Sequence, residues 1–223
     1  MAKVVAITEA FKTLAEVETR LGLSRSEDVA FFPEWRAPLP GLSGVESDRL
    51  EVMRQRLLYH RADGDLLEGS VMLLVASPLL ELAGFYDPPF KLKAEAAVEV
   101  AVDDGEEVLR GRIDALVLQQ SEQQSAQQTF WVLVLEAKKT TISTRPALPQ
   151  ALAYMMANTQ IDKPTFGLLT NGDDVLFVKL SHQPAKQYSL SRVFSLYTLP
   201  EELQAVLQIL KGIGRAIASP AFN

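Results

Sequence analysis

The stretch Phe130–Lys138, FWVLVLEAK, decides the fold. Side chains alternate between the two faces of a strand, so six apolar residues in a row, Phe130 to Leu135, predict a strand buried on both faces. Such strands lie inside a sheet that helices cover from each side. Upstream, Glu95–Val102 and Val108–Leu118 alternate in strand fashion around Asp103-Asp104-Gly105-Glu106, which predicts a hairpin. Between that hairpin and FWVLVLEAK, residues 119–128 hold six glutamines in ten and read as a solvated loop. Downstream, Pro146 and Pro149 fit only the first turn of a helix, which continues through Ala151–Ala157. Thr165–Leu169, the turn Asn171-Gly172-Asp173 and Val175–Leu180 predict a second hairpin, and Leu199–Ala218 a closing helix.

The first sixty residues read differently. Residues 3–20 place Val4, Ile7, Phe11, Leu14 and Val17 at helical spacing, with Gly22 as the stop. Phe32–Gly44, rich in Pro and Gly, predicts an irregular arm. Ser43 and Glu46 have capping-box spacing before a helix that runs to about His60. After the break Ala62–Asp65 comes the apolar segment Leu66–Ala83, where Pro78 predicts a kink or two pieces. The expectation is an α/β fold, a central mixed β-sheet of about five strands flanked by helices. Residues 1–60 form an N-terminal helical arm and residues 61–223 the main domain.

Composition narrows the function. The 223 residues are 48% hydrophobic and carry 22 basic against 28 acidic groups, net −6, which argues against coating nucleic acid by bulk charge. With no Cys and two His, thiolate zinc sites, cysteine nucleophiles and histidine-rich cages are excluded. No uncharged run reaches the roughly 20 residues of a spanning helix, so no membrane is expected. Glu9 interrupts what would be the apolar core of a signal peptide, and the expected location is cytoplasmic.

Chemistry could gather at two strand ends, Asp114 in GRID and Glu136 with Lys138 in LEAK. Glu136 and Lys138, two apart, share a face, and Asp114 can join them if its strand lies alongside. Two convergent carboxylates suit a hard cation such as Mg²⁺, and a nearby ammonium can stabilise a crowded phosphate. The plain alternative is a solvated strand edge, but acids ending a doubly buried strand need something to pair with them. Gln150 and Tyr154, four apart on the next helix, either lean over this point or pack in the core. Glu68 opens the apolar helix, where it would complement the dipole. Arg49, Arg54, Arg56, Arg61, Lys91, Lys93, Arg110 and Arg112 could line a phosphate groove or a solvated face.

Asp114, Glu136-Ala137-Lys138 and Gln150-x-x-x-Tyr154 together resemble the PD-(D/E)XK nuclease superfamily. The resemblance extends to the N-terminal nuclease domain of the type I restriction enzyme motor subunit, through EGSVMLLVASPLLELAGF (Glu68–Phe85), GRIDALVL, VLEAKK, QALAYM and Gly167–Gly172. It implies a restriction endonuclease-like core and a Mg²⁺-dependent DNA endonuclease, with Mn²⁺ as a substitute. Asp114, Glu136, Glu68 and the Ala137 carbonyl would hold metal, Lys138 would be the catalytic lysine, and Gln150 and Tyr154 an accessory pair. DNA is the implied partner. The sequence has no Gly-x-x-x-x-Gly-Lys-Ser/Thr loop, so a motor or specificity subunit would be a separate chain; a homo-oligomer is a further option. Ile113 stands where the family often has Pro, and Leu73 where the restriction domain often has a basic residue. The rival expectation is a catalytically silent nuclease-fold module for nucleic-acid binding or complex assembly. An RNA or repair-intermediate nuclease comes third.

Overall fold

The structure is a computed structural model describing residues 3–36, 38–102, 106–120, 129–140 and 143–218, with backbone alone at residues 101, 120 and 129–135. The turn at Asp103–Gly105, the glutamine-rich residues 121–128 and the packing of Trp131 lie outside what is described. In chain order come β1 (Lys3–Ala6), α1 (Ile7–Ala10), α2 (Leu14–Leu21), β2 (Ser24–Arg25), α3 (Gly44–Ala62), α4 (Glu68–Val71) and α5 (Ser77–Leu82). Then follow β3 (Phe90–Val102), β4 (Glu107–Gln120), β5 (Thr129–Ala137), α6 (Leu148–Met156), β6 (Thr165–Thr170), β7 (Asp174–Ser181), β8 (Gln187–Ser195) and α7 (Pro200–Ala218).

The fold is a mixed α/β sheet flanked by helices. β5 lies inside the sheet, antiparallel to β4 and parallel to β6. β7 and β8 continue antiparallel, and β2 joins β8 in parallel. β3 pairs with β4 from Val102↔Glu107 to Phe90↔Gln119 and so occupies one whole edge of that strand. The other edge of β4 is shared, with β1 on Glu107–Arg110 and β5 on Ala115–Gln120. The five strands expected from sequence are therefore joined by three more, β1, β2 and β8. On one face α3, α4, α5 and α7 bury Leu57, Val75, Leu79, Phe177 and Leu210; on the other α1, α2 and α6 bury Ile7, Val17, Leu152, Met155 and Leu169. Among the described residues no helix is long and apolar enough to cross a membrane.

Three local differences from the sequence reading have physical causes. Residues 3–20 are a strand and two helices instead of one helix. Val4 and Val5 are β-branched and suit an edge strand, while Thr13 starts α2 afresh with a capping box to Glu16. The irregular arm does not hang free, since Phe32 is buried with its ring 6.0 Å from that of Phe166 on β6. Strand β8 went unread because its alternation is broken by a register shift against β7 between Leu176 and Val178. Elsewhere the local signals act as read. Ser43 and Glu46 cap α3 reciprocally. Pro78, which cannot donate a hydrogen bond, is accommodated by a π-helical turn, Met72–Ala76, between α4 and α5. The β6–β7 turn uses Gly172 at φ +89°, and Asn171 Oδ1 accepts the Asp173 and Asp174 N–H groups.

Candidate active site

The β4–β5 ladder, with one register shift between Val117 and Leu118, runs back to Ala115↔Leu135 and stops there. The next residues, Asp114 and Glu136, therefore stand across from each other where the strands part. Ala137 N–H, which a continued ladder would pair with backbone, donates instead to Asp114 Oδ2 at 2.7 Å. Among the described residues the Asp114 carboxylate accepts no other hydrogen bond. Lys138 N–H donates to Thr170 O at 2.8 Å, so the polar end of β5 remains tied to β6.

Glu136 is 1% exposed. Its Oε1 accepts from Lys138 Nζ at 2.6 Å and from Gln150 Nε2 at 2.8 Å, and that amide also donates to Tyr154 Oη at 2.7 Å. Its Oε2 is buried with no hydrogen-bond partner. The helical spacing of Gln150 and Tyr154 puts both on the face of α6 that meets β4 and β5. Gly111 on β4 makes room for the tyrosine: a Cβ there would lie 2.4 Å from Tyr154 Cε1. Glu68, at the start of α4, reaches Lys138 Nζ at 3.8 Å and is half exposed. Its position is fixed just upstream, where Leu66 and Thr140 exchange hydrogen bonds: Leu66 N–H to Thr140 Oγ1 at 3.0 Å and Thr140 N–H to Leu66 O at 3.1 Å.

The electrostatics follow from this packing. Burial first, then the Asp114 charge, pushes Glu136 up to about 7 against the pull of Lys138. Asp114 is raised chiefly by burial, opposed by its bond from Ala137. Burial alone would lower Lys138, but the Glu136 charge and hydrogen bond outweigh it and hold the ammonium above its ordinary value. Tyr154 is raised by burial and by Glu136, and stays a neutral phenol.

The site is thus one ammonium among carboxylates, one of which keeps a buried, unpartnered oxygen. An orphaned acceptor of that kind is costly unless a cation or proton meets it. Among the described residues no group of three or more His, Cys, Asp or Glu side chains could hold a metal ion, so a cation here would rest on Asp114 and Glu136. That donor set fits Mg²⁺, which typically takes one or two carboxylates and fills its octahedron with water and phosphate oxygens. Glu68, a metal ligand by family resemblance, is placed against the lysine.

The structure brings Asp114, Glu136, Ala137, Lys138, Gln150, Tyr154 and Glu68 to one end of the sheet. Of the eight candidate phosphate-binding cations, five form ion pairs within the chain. Arg49, Arg54, Arg61, Arg110 and Arg112 pair with Glu81, Glu51, Asp173, Glu99 and Glu95. Gly111 and Thr140 were missed as site residues. A glycine inside a strand does signal close approach of a neighbour, but a threonine after a strand signals nothing by itself.

No family model matches the chain, and no curated protein matches it. Among solved structures it is similar to a fragment assigned to the HsdR subunit of a type I restriction enzyme from Vibrio vulnificus YJ016, with a TM-score of 0.38 and 21% identity. The match covers 64% of this chain and 25% of that one, so the chain spans about a quarter of that fragment's length and resembles it weakly in structure.

Proposed function

We propose that the chain is a Mg²⁺-dependent DNA endonuclease of restriction or DNA-processing type, with its site on the PD-(D/E)XK pattern. The observation that carries this reading is Glu136 Oε2, a buried carboxylate oxygen with no protein donor, beside Asp114 and on the carboxylate whose other oxygen meets the Lys138 ammonium at 2.6 Å. Asp114 and Glu136 would hold the cation, with the Ala137 carbonyl at the strand end as a further oxygen. Bound there, the cation would supply Lewis-acid polarisation of a phosphodiester. The chain's own residues do the rest. Lys138 offers positive charge toward the developing phosphorane charge, and Glu68 keeps that ammonium oriented. Gln150, anchored on Tyr154, fixes the Glu136 rotamer through Oε1 and so leaves the buried Oε2 as the unpartnered acceptor. A separate motor or specificity subunit fits this reading as partner.

One observation favours the second reading, a silent nuclease-fold module: five of the eight basic candidates are spent on intramolecular ion pairs. Mn²⁺ titration and plasmid cleavage separate the two. Wild type should bind Mn²⁺ and nick supercoiled DNA, while Asp114→Asn and Glu136→Gln each lose most of the affinity and the nicking. Equal affinities in all three proteins would end the metal assignment. Intact binding without cleavage of any nucleic acid would leave the module.

A further inference from the structure

Glu95 is the one non-glycine residue with positive φ among the described residues, at +50° in the middle of β3. That region is crowded for any side chain with a Cβ and is visited routinely only by Gly and, less often, Asn or Asp. The pairs Ala94↔Ala115 and Ala96↔Ile113 flank it, so Glu95 stands across from Asp114 at the one place where the β3–β4 ladder skips. The packing shows what the left-handed residue does. In a regular strand Ile113, Ala115 and Val117 would share a face. Here Ile113 is buried with the α6-side core, while Ala115 and Val117 are buried with the opposite core. On β3, Ala96 and Val98 pack on the α6 side and Phe90 on the other, although all three have the same parity. Both strands thus reverse their pleat at Glu95 and Asp114. The reversal leaves Asp114 between the two faces, free to reach along the sheet to Ala137 N–H.

We infer that Glu95 is a positioning residue of the site: its left-handed backbone, and not its carboxylate, re-phases the β3–β4 hairpin so that Asp114 points at the end of β5 beside Glu136. The carboxylate lies in solvent, 74% exposed and 3.0 Å from Arg112, itself 67% exposed. This inference rests on the reading of Asp114 and Glu136 as a metal pair.

The test compares Glu95→Gly, Glu95→Asn and Glu95→Val by Mn²⁺ titration and by amide exchange at Ala137. Gly and Asn accept the left-handed conformation without the carboxylate, whereas a β-branched Val does not. Both should keep wild-type Mn²⁺ affinity and Ala137 protection, and Gly should not lower the melting temperature as it would inside a regular strand. Glu95→Val should lose at least tenfold in Mn²⁺ affinity, the scale seen when the support of a metal ligand is removed, together with Ala137 protection. Wild-type behaviour of Glu95→Val, or losses in Gly and Asn equal to those in Val, would overturn the inference. Should Glu95→Val not fold, the Gly and Asn arms decide: retained Ala137 protection supports the inference and lost protection overturns it. If wild type itself binds no Mn²⁺, the metal reading fails while Ala137 exchange across the same variants still tests the role of Glu95.

Discussion

Glu136→Gln should make the protein more stable at pH 8 and do so much less at pH 5. Burial and the Asp114 charge raise this carboxyl from 4.5 to about 7 in the folded chain. The folded value lies above the unfolded one, so the folded state holds the proton more tightly. Below the unfolded value the group is neutral in both states and has no effect. As pH rises the unfolded chain ionises first, and the penalty grows until it is complete above the folded value. A shift of that size, at about 1.4 kcal/mol per unit, destabilises the folded state by about 3 kcal/mol at pH 8 and under about 1 kcal/mol at pH 5. Gln keeps the shape and the acceptor for Lys138 and Gln150 but cannot ionise. The stability gap between variant and wild type should therefore widen by about 2–3 kcal/mol between the two pH values, or about 5–10 °C in melting temperature for a chain of this size. Urea denaturation at pH 5 and pH 8 measures it. A gap equal at both pH values would show that Glu136 is not held against its charge, and would remove the electrostatic case for a cation at Oε2. Added Mg²⁺ at a hundred times its dissociation constant should stabilise wild type at pH 8 by about 2.7 kcal/mol and leave the variant unmoved.

Lys138→Ala should leave Mn²⁺ affinity nearly intact and lower cleavage about a hundredfold or more, the scale of one well-placed electrostatic group; unchanged cleavage would make Lys138 a bystander. Gly111→Ala would drive a Cβ to within 2.4 Å of the Tyr154 ring and 3.1 Å of Ile7 Cδ1. It should cost about 1–3 kcal/mol by overpacking, and wild-type stability in thermal melts would contradict the described packing. Thr140→Val removes the acceptor of the Leu66 N–H. Leaving that buried donor unpaired should cost about 1–3 kcal/mol, and a melting temperature equal to wild type would mean that Glu68 is held in place by other contacts.

Local chemistry was legible in the sequence wherever one residue type has one cheap solution. Ser43 and Glu46 announce the start of α3, Pro78 announces an interrupted helix, and Asn171-Gly172 announces the β6–β7 turn. The apolar run before Glu136 announced an inner strand, and strand parity then put Glu136 and Lys138 on one face. Tertiary structure alone decided the rest. Asp114 and Glu136 meet because the β4–β5 register ends at Ala115↔Leu135, and register is a long-range choice made by the packing of both sheet faces. The pleat reversal at Glu95 could not be read from alternation, since it is the place where alternation fails. The same holds for the raised Glu136 carboxyl and its unpartnered oxygen. A glutamate has one ordinary affinity for its proton in any sequence, and only the helix, strands and charge that close over it here can change that value.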